Sequence, residues 1–79
     1  MTLEEAKTSL GDYWHRRKAT GEFLKAVLEN NLIEAIRKAD PESKNNLVAI
    51  ASWAWMELPS PIWGNPAKVA AHLQGAMAK

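Results

Sequence analysis

The side chains able to do chemistry in this 79-residue chain are few and scattered. His15 and His72 are its only imidazoles, too far apart along the chain to form a helical ligand pair of the HExxH kind, and no cysteine supplies a thiolate. A metal site would have to be assembled from separate elements, so none is expected. Serines, threonines and acids occur without a GxSxG elbow, a paired-carboxylate pattern or a Gly-rich phosphate loop. The residues therefore point to no catalytic group and no cofactor, and the expectation is a protein that is not an enzyme.

Two other concentrations of side chains can recognise something. His15-Arg16-Arg17-Lys18 is a basic cluster beside Tyr13 and Trp14, whose rings are suited to stacking on bases. Arg16, Arg17 and Lys18 are thus the candidate nucleic-acid contacts. The same cluster has a plainer role, because cations at a helix C-terminus answer the negative end of the dipole. The following segment also carries Glu22, Glu29 and Glu34 against Lys25, Arg37 and Lys38, a neutral balance that suits phosphate poorly. With 10 basic and 9 acidic residues the formal net charge is +1, which gives no global pull toward nucleic acid or an anionic membrane.

The second concentration is aromatic. Of the four tryptophans, Trp53 and Trp55 lie in the run Leu47–Leu58, LVAIASWAWMEL, and Trp63 lies in a Pro-Gly loop. Trp53 and Trp55 read first as core. Two large rings two positions apart nevertheless exceed what so small a domain encloses, and the surplus at Trp55 and Met56 reads as an interface, where Trp and Met are enriched. Ile62 and Trp63, held in a loop stiffened by Pro59, Pro61 and Pro66, are the candidate anchors for a partner, with a lid over the core as the alternative role of Trp63.

These side chains need elements to position them. Thr2 and Glu5 form a capping box for a helix reaching the basic cluster, with Asp12 and Arg16 spaced for an ion pair and Gly11 as a dissent that suggests a bend or a close contact. Glu22 to Ala39 is helical, but its two halves bury different faces. One continuous or kinked helix is favoured, and two short helices divided at Asn30-Asn31 are the alternative. Asp40-Pro41 starts a helix running to Glu57 or Leu58, and Asn65-Pro66 starts a last one, Pro66 to about Ala78. That last helix presents Val69, Leu73, Ala76 and Met77 on one side and leaves Lys68, His72 and Gln74 to solvent.

Helical spacing distributes the apolar residues of Leu47–Leu58 around the whole circumference, which predicts a helix buried on all sides; a buried strand competes, but length and alanine content favour helix. The run is far short of the ~20 residues that cross a bilayer. The expected fold is a small, compact all-α bundle, one domain over 1–79, of four helical segments (five if Glu22–Ala39 divides) around that central helix. At this length a single core is barely sufficient, and without disulfides a partner chain is the natural supplement. The expected function is a non-catalytic protein–protein interaction module, an accessory, inhibitor or adaptor protein, with a homodimer among its assemblies. A nucleic-acid-binding regulator is the alternative. The acidic N-terminal stretch without an apolar h-region gives a cytoplasmic expectation.

Overall fold

Four of the five α-helices among the described residues begin at a side chain that caps them. In the computed structural model, which describes residues 1–75, α1 spans Leu3–Arg16. Thr2 Oγ1 accepts the Glu5 N–H at 3.1 Å and Glu5 Oε1 accepts the Thr2 N–H at 2.8 Å, so the capping box is complete. Helices α2 (Glu22–Leu28) and α3 (Leu32–Lys38) are separate, the second of the two readings that the sequence allowed. The chain breaks because Asn30 takes the left-handed conformation, φ 60°, and lets the Asn31 N–H close α2 on the Ala26 carbonyl at 2.9 Å; Asn31 Oδ1 then caps α3.

Helix α4 (Pro41–Glu57) starts on Asp40, whose Oδ1 accepts the Ser43 N–H at 2.7 Å, and that bond holds the Asp40 carboxyl below its ordinary range. A 3₁₀ turn, Ser60–Ile62, follows, and Asn65 caps α5 (Pro66–Leu73) through the Lys68 N–H. The described residues contain no strand, and the fold is an all-α bundle. Ala76, Met77 and Ala78, assigned by the sequence to the last helix, lie outside the described residues.

The core is built on α2. Phe23, Leu24, Ala26, Val27 and Leu28 are all buried, and Ala6, Leu10 and Tyr13 of α1 join them with Ile50 and Ala54 of α4, Leu58, Ile62 and Val69. Close approaches run between α2 and α3, α1 and α4, and α5 and the 3₁₀ turn. The expectation of α4 as a helix buried all round is corrected. Only Ser43, Ile50 and Ala54 are buried along it, and Val48, Trp55 and Met56 face outward. A 17-residue helix is about 26 Å long at 1.5 Å per residue. Two seven-residue helices and one of eight cannot surround that length, and α1 covers only one side of it.

Gly11 corrects a second expectation, because α1 continues through it and a Cβ placed there would meet no atom within 4 Å. No close contact requires a glycine. Gly11→Ala is therefore expected to stabilise the chain by about 1 kcal/mol, the helix-propensity difference. Thermal melts check this, and a lower melting temperature would mean that the glycine serves a contact the geometry does not show.

Candidate binding surfaces

The outer face of α4 is an apolar surface that follows a helical rhythm. Val48, Ser52, Trp55 and Met56 stand at i, i+4, i+7 and i+8 and so share one side. Val48 is 79% exposed, Trp55 74% and Met56 70%, and no charged residue interrupts α4 between Lys44 and Glu57. Next to it, α3 leaves Leu32, Ile33 and Ile36 exposed, and a shallow groove lined by Leu32, Leu47 and Ala51 joins the two helices. Trp55 and Met56, which the sequence offered as partner contacts, belong to this face. Val48, Leu32 and Ile33 extend it and were missed there, although the spacing of Val48 to Trp55 and Met56 was a signal that could have found them.

The loop arrives differently. Ile62, offered as an exposed anchor, is corrected: it is buried in the core, because the 3₁₀ turn folds the chain back so that its side chain points inward while its carbonyl accepts the Tyr13 hydroxyl at 2.6 Å. Trp63 is half-buried and packs against the core, and the Gly64 N–H donates to the Leu28 carbonyl at 2.7 Å, which ties the loop to the end of α2. The structure thus separates the loop pair from the helix pair rather than joining all four into one patch.

Tyr13 organises the end of the bundle that the loop closes. Its ring is fully buried, its hydroxyl holds the loop through Ile62, and its carbonyl receives the His72 Nε2–H at 2.6 Å and the Arg17 N–H at 3.1 Å. That carbonyl lies in the last turn of α1 and already accepts the Arg17 N–H four residues on, and its second lone pair takes the histidine donor. Burial, with a smaller contribution from the negative Glu29, pushes the phenol up to about 12. His72 was expected in solvent, and this too is corrected: it is buried, tilted against the Tyr13 ring with centroids 4.6 Å apart. A histidine can enter the core here because the second lone pair of the Tyr13 carbonyl meets it.

At the basic end, His15, Arg16, Arg17 and Lys18 are all exposed. Trp14 stacks on His15 with ring centroids 4.3 Å apart, and Arg16 Nε lies 4.0 Å from Asp12 Oδ1, so part of this charge is answered within α1. Among the described residues no group of three or more His, Asp or Glu side chains is placed to hold a metal ion, and no helix is long and apolar enough to cross a membrane. No protein-family model, curated protein or solved structure matches this chain significantly.

Proposed function

We propose that this chain is a non-catalytic protein–protein interaction module, an accessory, inhibitor or adaptor protein that binds through the outer face of α4, and that a second copy of itself is its first partner. The observation that supports this is the set of Val48, Trp55 and Met56, each at least 70% exposed, in one helical register without an intervening charge. Exposed apolar surface of this kind marks a contact site rather than a solvated face. A two-fold axis would lay two such stripes against each other antiparallel, and the uncharged run offers no like-charge repulsion to oppose it.

Sedimentation across the micromolar range is expected to show a concentration-dependent dimer. Trp55→Ala should weaken it about 30-fold or more, equivalent to ~2 kcal/mol at a hot spot, with an unchanged melting temperature at concentrations too low for the wild type to dimerise, because the exposed ring makes little of the core. A wild-type chain that stays monomeric at high micromolar concentration overturns self-association. The alternative, a nucleic-acid regulator, draws on the exposure of Arg16, Arg17 and Lys18; DNA retention that falls steeply with salt would favour it.

A further inference from the structure

A second concave surface lies at the opposite kind of chemistry from the α4 stripe. Trp14 and Arg17 at the end of α1, Pro59, Pro61 and Ile62 of the turn, and His72 of α5 line a cleft of about 300 Å³. That volume is at the small end of ligand sites, enough for a one- or two-ring molecule and too little for a larger one. The indole of Trp14 and the two prolines give it flat apolar walls.

Two of the residues that line the cleft carry polar groups with unused capacity. His72 is 3% exposed, and because a carbonyl can only accept, the ring nitrogen 2.6 Å from the Tyr13 oxygen carries the proton. In the neutral ring Nδ1 is then an acceptor, and it is buried with no hydrogen-bond partner among the described residues. Buried polar atoms in folded proteins are overwhelmingly paired, and an orphan one costs free energy until a donor reaches it. Arg17 is the second group. It is exposed and takes part in none of the ion pairs among the described residues. Its side chain extends toward the end of α5, where Nε would lie 3.7 Å from a Cβ on Gly75.

We propose that this cleft binds a small aromatic carboxylate that also carries an N–H or O–H donor. The ring lies against Trp14, Pro59 and Pro61, the carboxylate pairs with the Arg17 guanidinium, and the donor reaches Nδ1 of His72, which is covered in this structure, once the side chains over it shift aside. Planar guanidinium and carboxylate match each other's geometry, and the donor requirement follows from the protonated Nε2. The site is independent of the α4 face and of the assembly proposed for it.

The backbone at Arg17 supplies an unusually clean test. Arg17 closes α1 with φ 53°, a left-handed conformation in which glycine is at ease and other residues are strained. Arg17→Gly therefore removes the guanidinium without strain, and its melting temperature should equal or exceed that of the wild type. Indoleacetate, which has ring, carboxylate and N–H, is the probe, followed by NMR of the His72 imidazole and the Trp14 indole, with Trp55, which does not line the cleft, as the reference ring. Saturable shifts at His72 and Trp14 are expected in the wild type. Affinity should fall about tenfold or more in Arg17→Gly, and by a similar factor for naphthaleneacetate, which keeps ring and carboxylate but lacks the donor. Trp55→Ala should bind the probe as the wild type does. Shifts that are absent or centred elsewhere, undiminished affinity in Arg17→Gly, or equal affinity for naphthaleneacetate would each overturn the proposal.

Discussion

Cutting Ile50 back to alanine should cost about 2–5 kcal/mol, the range for emptying a buried aliphatic site, whereas the same cut at Val48, two positions earlier, should change stability by less than about 0.5 kcal/mol. Ile50 is fully buried and Val48 is 79% exposed. Both are β-branched residues in mid-helix, so propensity cancels in the comparison and only the facing of α4 remains. Ile50, Ala54 and Leu58 repeat every four residues toward the core, and Leu47, Ala51 and Trp53 pack partly buried beside that stripe. A domain of this size has only about 5–15 kcal/mol in total, and each 1 kcal/mol moves its melting point by roughly 4–8 °C. Thermal melts of the two variants thus differ by about 6 °C or more if the facing is right. Equal losses at both positions would return Val48 to the interior and remove the surface on which the interaction reading rests.

The helix starts were legible because a cap is a local device. Thr2 with Glu5, Asn31 with Glu34, Asp40 with Ser43 and Asn65 with Lys68 each bond across three residues, and nothing distant can undo the pairing. The break at Asn30 was legible to the same degree, as one of two readings, since the amide side chain permits the left-handed turn without requiring it. What could not be read was the facing of α4. An uninterrupted apolar circumference states that any side can be buried, and the length and number of the neighbouring helices decide which side is. His72 failed for another reason. Its partner is a carbonyl 59 residues earlier, and the histidine reads as a surface residue unless the end of α1 is known to lie over it. Val69, three positions before His72 and buried, was the faint signal, since i and i+3 share a face. Ile62 and Trp63 were treated as a pair because they are adjacent, yet the 3₁₀ turn sends one fully into the core and leaves the other half out.

Tyr13 carries the other large effect. Tyr13→Ala should cost about 3–5 kcal/mol as a buried aromatic site is emptied. Tyr13→Phe isolates the hydroxyl: it keeps the ring and leaves the buried Ile62 carbonyl without its 2.6 Å donor, at a cost of about 1–3 kcal/mol. The same hydroxyl makes stability depend on alkali. In the unfolded chain the phenol releases its proton near 10.0, whereas in the folded chain burial holds it to about 12. Between those values the folded state binds more protons, so stability falls as pH rises. The contribution is fully present below about 10, declines across that window and is gone above about 12. Tyr13 is the only tyrosine, so tyrosinate absorbance reports this one group. Its ionisation should coincide with alkaline unfolding, and the wild type should lose its advantage over Tyr13→Phe across the same window. Comparing the two chains cancels the lysines, which titrate in both. A tyrosinate signal that rises with a midpoint near the free value while the helical signal persists would mean that the phenol is open to solvent, and the link it makes between α1 and the closing turn would have to be abandoned.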